Sequence, residues 1–359
     1  MSITIFRARR ILTMNPARPE ATHVAVRDGR ILGAGTLDEV AGWGPYRLDD
    51  RFSEMVLMPG LVEGHSHASE GTFWRYLYLG RFDRRAPDGK VWPGLGSIDE
   101  IVARMIEGER ALATADEPLA GWGLDPIYYG SRRVDRADFD RVSTTRPVGV
   151  MHASGHILNV NSRALELAGL LRPGINHPGV PLGADGLPTG ELKGPEAMTM
   201  VGGHIGFDRE VLANDEPGLR RFAQLCVRAG VTTATDLANL LPADAVSMMR
   251  RVTGEAGYPV RIVSLRRFQG LTPQAAIDAA LALKAQSTDR LRLGALKMFA
   301  DGSIQGFSAR LRWPGYFNGA PNGLWYTPPE TVRETYTLAL KHEVLVHTHT
   351  NGDEATEMA

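Results

Sequence analysis

The sequence predicts an α/β protein built on a parallel sheet of βα units, with short strands before it and an inserted subdomain within it. Three observations carry this reading. From about residue 215 to residue 349 predicted strands and helices alternate, as βα units joined in a parallel sheet require. Side chains suited to chemistry recur at the ends of the predicted strands, where barrel folds collect them. An apolar run, Met55-Val56-Leu57-Met58, leads straight into Pro59-Gly60-Leu61-Val62-Glu63-Gly64-His65-Ser66-His67.

Taken in order, residues 1–54 read as short strands. The clearest hairpin is Val24-Ala25-Val26-Arg27-Asp28-Gly29-Arg30-Ile31-Leu32-Gly33, with Asp-Gly at the turn. The apolar run over 55–62 predicts a first barrel strand buried on both faces. Residues 68 to about 205, rich in Gly, Pro and aromatics, read as an irregular inserted subdomain. A helix is predicted from near Asp215 to Gly230, with Leu219, Phe222 and Cys226 on its apolar face. A strand over 231–236, a helix over about 242–255 and a strand over 260–265 follow. Thr272-Pro273 opens a helix whose predicted face carries Ile277, Leu281 and Lys284. A strand at 293–299, a helix at 329–342 and a strand at 344–349 complete the pattern. With the strand at 55–62 this makes five barrel strands, where a closed barrel needs eight. The alternatives are an open doubly wound sheet, or a truncated barrel with two unpaired edges that would promote aggregation.

Composition excludes several classes. Lys+Arg 40 against Asp+Glu 41 leaves no basic surface for nucleic acid. No apolar stretch approaches the ~18 residues of a membrane span. Cys226 is the only cysteine, which excludes an internal disulfide and suits a reducing, cytoplasmic setting. It reads as a core residue. The N-terminal residues lack the apolar segment of a secretion signal.

Side chains two apart on a strand share a face. His65 and His67 therefore present two imidazoles together, a good start for a divalent metal site. Lys297 lies near the end of the fourth predicted strand, before Asp301-Gly302-Ser303. His347 and His349 end the fifth, before Asn351-Gly352-Asp353. An ammonium does not bind a cation, so Lys297 serves a metal only when deprotonated or carboxylated. Otherwise it is a strand-end or ion-pair lysine. One of His347 and His349 is expected to be a hydrogen-bonded core residue. Asp301 is expected to fix its turn. His156 reads either as a substrate contact or as a loop-stabilising hydrogen bond, and His152 as structural. Phe73, Trp74, Tyr76 and Tyr78 could line an apolar pocket or form the insertion's own core.

Together the run Met58–His67, the segment Leu296–Ser303 and the run His349–Ala355 resemble the amidohydrolase superfamily, nearest its YtcJ-like branch with its N-substituted formamide deformylase-like enzymes. Ser154-Gly155-His156 with Asn159–Leu165, and Asp185–Leu192, resemble further segments of that branch. The resemblance implies an incomplete (β/α)8 metal-dependent hydrolase barrel beside a small N-terminal β-sandwich portion. The sandwich portion covers 1–54, the barrel 55–359, and the insertion about 68–205. It also implies His65, His67, Lys297 and His349, rather than His347, as metal ligands. Lys297 matches a position where related enzymes carry a carboxylated lysine bridging two metals. The implied cofactor is a divalent metal, zinc, as one or two ions. The implied reaction is hydrolysis of an amide-type C–N bond in a small molecule by metal-activated hydroxide. The family's sixth-strand histidine and its acid/base aspartate have no match in these residues and are expected beyond residue 359. The chain as it stands is therefore expected to be inactive. Two alternatives stay open: a catalytically dead binding or regulatory protein, and a hydrolase of esters or cyclic amides. Oligomeric state is not specified.

Overall fold

The computed structural model describes residues 2–114, 116–130, 132–207 and 212–359. The chain divides into two compact units, Met1–Val62 and Glu63–Ala359.

The first unit holds strands β1 (Ile3–Asn15), β2 (Arg18–Arg27), β3 (Arg30–Gly35) and β4 (Tyr46–Leu57) in the order β3-β2-β1-β4. β1 pairs antiparallel with β2 and parallel with β4. The hairpin read from Asp28-Gly29 is present, with φ of 54° and 73° at the two turn residues. Positive φ at both positions is what a two-residue hairpin turn requires. Ile3, Ile5, Ala25 and Val40 form the buried cluster over which this sheet closes. The described residues of this unit form one sheet, without the second layer of a sandwich.

The run over 55–62 does not behave as one buried strand. Its first half completes β4. Pro59-Gly60 interrupts the ladder, since proline has no N–H to donate. Only Leu61–Glu63 (β5) continues as a strand of the parallel sheet. Met55, Val56, Met58, Leu61 and Val62 are all exposed, Val62 to 74 %.

The insertion is more regular than its sequence suggests. It contains β6 (Leu77–Tyr78), β7 (Arg84–Arg85), β8 (Val91–Trp92), β9 (Leu119–Leu124), β10 (Val148–His152), β11 (Ile157–Val160) and β12 (Glu191–Lys193). Five of these make a sheet in the order β12-β11-β10-β9-β6, and β7 and β8 form a separate hairpin. Every residue of β9, β10 and β11 is buried. Strands buried on both faces show no polar alternation, which hid them in the sequence.

The parallel sheet continues with β13 (Val231–Asn239), β14 (Arg261–Arg267), β15 (Leu291–Phe299) and β16 (Val346–His349). Its order, β5-β13-β14-β15-β16, follows the chain without reversal. A doubly wound sheet reverses direction at a switch point. The unbroken order is that of a barrel, here five strands with β5 and β16 at its edges. Helices Glu216–Arg228, Ala243–Gly254, Pro273–Lys284 and Pro329–Lys341 fall between the strands where the periodicity places them. Leu219, Phe222 and Cys226 pack with Val252, Ile262 and Leu291 in one buried cluster. Burial also pushes the Cys226 thiol up to about 11, in keeping with a core residue. The helix opened by Thr272 buries Ala276, Ile277, Ala280 and Leu283, so its apolar face is rotated from the one predicted and Leu281 is exposed.

The helix Ser69–Phe73 follows His67 directly and lies against the helix Glu216–Arg228 at a contact of two glycines. A Cβ on Gly71 would stand 2.0 Å from the Gly218 carbonyl oxygen. Overpacking of this kind typically costs 1–3 kcal/mol. Gly71→Ala is therefore expected to destabilise the protein by about 1–3 kcal/mol, read from the urea midpoint at unchanged m-value. An unchanged midpoint would show that the contact yields freely.

Candidate metal centre

β13 builds the loop that carries the first two imidazoles. Ser66 N–H donates to Thr235 Oγ1 at 3.0 Å, and Ser66 Oγ donates to the Thr235 carbonyl at 2.7 Å. Leu237 N–H donates back to the Ser66 carbonyl at 2.9 Å. Ala68 N–H donates to Asp236 Oδ1 at 2.8 Å, while Asn239 Nδ2 and Ser264 Oγ hold Asp236 Oδ2, each at 2.8 Å. His67 Nδ1 meets the Leu237 carbonyl at 2.7 Å. A carbonyl only accepts, so Nδ1 carries the proton and Nε2 keeps its lone pair for a ligand. A ring nitrogen anchored in this way is the usual orientation of a metal-binding histidine.

The far edge of the sheet returns to the same place. A flat five-stranded sheet would hold its outer strands roughly 19 Å apart, four spacings of about 4.8 Å. Here the His65 ring, just after β5, and the His347 ring on β16 have centroids 5.1 Å apart. The sheet is thus curled enough to bring its two edges together at this end. His67 lies 6.0 Å from His65, ring to ring, and His349 lies 4.6 Å from His156. The strand register sets Lys297 beside His347 and Phe299 beside His349.

Lys297 is fully buried, and its Nζ has no hydrogen-bond partner among the described residues. Burial lowers its ammonium to about 8. Its charge is felt around the cluster. His65 is lowered to about 4 by burial first and by Lys297 second. His347 is lowered by burial and then by Lys297 and His67. His349 is lowered by burial, against the opposing pull of the Gly302 carbonyl. His156 is lowered to about 3 by burial, then by His349, His67 and Lys297.

The structure thus brings together His65, His67, Lys297, His347, His349 and His156, all named in the sequence reading. His349 Nε2 faces the Gly302 carbonyl at 3.1 Å, so in that contact Nε2 carries the proton and donates, and Nδ1 keeps its lone pair. His156 is buried and stacks at 6.0 Å on Tyr326. Asp301 accepts the backbone N–H groups of Arg310, Asn351 and Gly352 at 2.8–2.9 Å. It ties the turn after β15 to the turn after β16, the fixing role expected of it. Among the aromatics, Phe73 lines the cavity beside His67, while Trp74, Tyr76 and Tyr78 pack in the insertion's core.

The donors suit a divalent cation: several imidazoles, and one buried amine without a hydrogen-bond partner among the described residues. Among the described residues, however, no three His, Cys, Asp or Glu side chains alone form a metal-holding group. The set includes a lysine, and a lysine ligand must first change its chemistry. His152, read from the sequence as structural, ends β10 and lines the same cavity as His67 and His156.

Two buried histidines are pushed below the ordinary 6.5, His156 to about 3 and His152 to about 4, by burial above all. A group lowered on folding adds stability above its unfolded value and loses it as pH falls toward its folded value. The denaturant midpoint is therefore expected to fall as pH drops from about 6.5 to 4, and to fall less in His152→Phe. An equal fall in both proteins would remove His152 from this balance.

The amidohydrolase family model Amidohydro_3 matches residues 53–359. The chain is 25% identical over 362 residues to Protein LONG AFTER FAR-RED 3 of Arabidopsis thaliana, covering 97% of this chain and 58% of that protein. It is 28% identical over 361 residues to the putative amidohydrolase YtcJ of Bacillus subtilis (strain 168), covering 97% of this chain and 63% of that protein. It thus spans about three fifths of the length of these curated relatives. Among solved structures it resembles an uncharacterized metal-dependent hydrolase from Pyrococcus horikoshii OT3, with a TM-score of 0.65 at 17% identity over 99% of this chain and 67% of that one. A counterpart from Pyrococcus furiosus gives a TM-score of 0.62 at 18% identity over 99% of this chain and 69% of that one. With a sequential, curled parallel sheet and a family match over most of its length, the chain belongs to the amidohydrolase family.

Proposed function

We propose that this chain carries the metal-binding residues of a hydrolase that cleaves amide-type C–N bonds in small molecules. One observation carries the reading: a fully buried lysine amine without a hydrogen-bond partner among the described residues lies beside His65, His347 and His349, whose charged forms the site disfavours. A lone buried ammonium is costly, and such a site is explained by what it binds. His65, His67, Lys297 and His349 would hold the metal, zinc as one or two ions. When bound, a divalent ion lowers the pKa of water and polarises a carbonyl.

The chain's own residues prepare that site. The Leu237 carbonyl fixes the His67 ring so that Nε2 is presented without rotation. Burial raises the fraction of Lys297 that is neutral at a given pH. The neutral Nζ lone pair then attacks carbon dioxide, an N–C bond forms, and one proton leaves to solvent. The product is a carbamate with two donor oxygens and a negative charge, which offsets the cost of burying an ammonium. Asp301, with its oxygens committed to three N–H groups, holds the rim and takes no part in proton transfer.

The protein is expected to bind one or two equivalents of added zinc, by calorimetry and metal analysis. Loss of a group that merely orients a ligand weakens binding 10–100-fold, so Lys297→Met and His67→Ala are each expected to weaken zinc by more than about a hundredfold. With 13C-labelled bicarbonate the wild type should give a carbamate carbon resonance that Lys297→Met lacks. A chain that binds no zinc overturns the proposal, and zinc binding untouched by Lys297→Met overturns the ligand set.

A further inference from the structure

His152 closes β10 and is 4% exposed. Its Nε2 lies 2.5 Å from Asn159 Oδ1. The Asn159 amide is oriented independently, because its Nδ2 donates to the Val134 carbonyl at 2.8 Å. The oxygen therefore faces the imidazole, and an oxygen acceptor needs a proton on Nε2. In the neutral ring this leaves Nδ1 as a bare acceptor. Burial lowers His152 to about 4, so the ring is neutral at physiological pH. Nδ1 is buried and has no partner among the described residues. A buried acceptor without a donor costs roughly 1–3 kcal/mol.

This imidazole lines the cavity that His67 and His156 also line, with Phe73, Trp122 and Phe299 as its aromatic wall. Trp122 Nε1 is likewise buried and partnerless among the described residues. Two of the residues that line this cavity, His152 and Trp122, thus each carry a buried ring nitrogen without a partner among the described residues. We propose that His152 is a specificity-determining residue, its Nδ1 accepting a hydrogen bond from an N–H of the bound molecule. The site would select amides that keep an N–H on the reacting nitrogen and reject those with two substituents there. This rests on the amide reading above and adds the class of amide.

The selectivity has a physical basis. A disubstituted nitrogen brings a methyl group where a donor is needed and leaves Nδ1 buried and unpaired. Sites built around such a hydrogen bond reject the analogue that lacks it far more strongly than apolar pockets reject a methylene.

The test uses the zinc-treated 359-residue chain, 15N-labelled at histidine, with N-benzylacetamide and its N-methyl derivative as probes. NMR of the free chain should show His152 protonated on Nε2 alone. The N–H probe should shift the Nδ1 resonance and bind at least about tenfold more tightly than the methylated probe. In His152→Phe this preference should fall to near unity. Asn159→Leu, which frees the ring to reverse its tautomer, should weaken the preference while retaining the histidine. Equal binding of both probes by the wild type, or an Nδ1 resonance unmoved by the N–H probe, overturns the inference and leaves the amide reading standing. Binding of neither probe overturns both. A loss of binding in His152→Phe that is equal for the two probes assigns the residue to packing alone and overturns the inference.

Discussion

The constraint on which the site depends is a lysine amine held inside protein with nothing to bond to. Lys297 lies mid-sheet, near the end of β15, where neighbouring strands exclude water. A core position of this kind ordinarily takes Leu, Ile or Met. Its charged form is disfavoured by burial, and so are the charged forms of the imidazoles around it. Each charge in the cluster therefore makes protonation of its neighbours harder.

Two backbone devices hold that arrangement. On one side β13 grips the loop after β5 through Ser66, His67 and Ala68, so the first two imidazoles take their position from a neighbouring strand. On the other side the Asp301 carboxylate gathers three N–H groups from two turns and fixes the ends of β15 and β16 as one body. Both devices place polar groups that would otherwise be buried and unsatisfied, so they serve stability and geometry together.

Much of this was legible in the sequence. The helices and strands from Glu216 to His349 announce themselves because each helix shows one face to the core, and Thr272 and Gly230 mark boundaries by their chemistry. The site residues were legible for a related reason: strand ends are where side chains leave the core, so a polar residue there stands out against its apolar run. The insertion was not legible, because β9, β10 and β11 are buried on both faces and rich in glycine, with no periodicity to read. The run over 55–62 misled in the opposite direction. Apolar residues there suggested burial, but Pro59-Gly60 divides the run between two sheets and much of it faces solvent. The contacts with Asn159 and Val134 that orient His152 were not legible, because pairing creates them and composition does not show them.

The curl that sets the His65 ring 5.1 Å from the His347 ring has a mechanical consequence. These two side chains belong to opposite margins of an open ribbon, with no ladder hydrogen bonds between them. An ion gripped by the early pair and the late imidazole would act as a clasp across that gap. Occupancy and curvature would then be one variable: a chelator would slacken the ribbon, and anything that flattened the ribbon would release the ion.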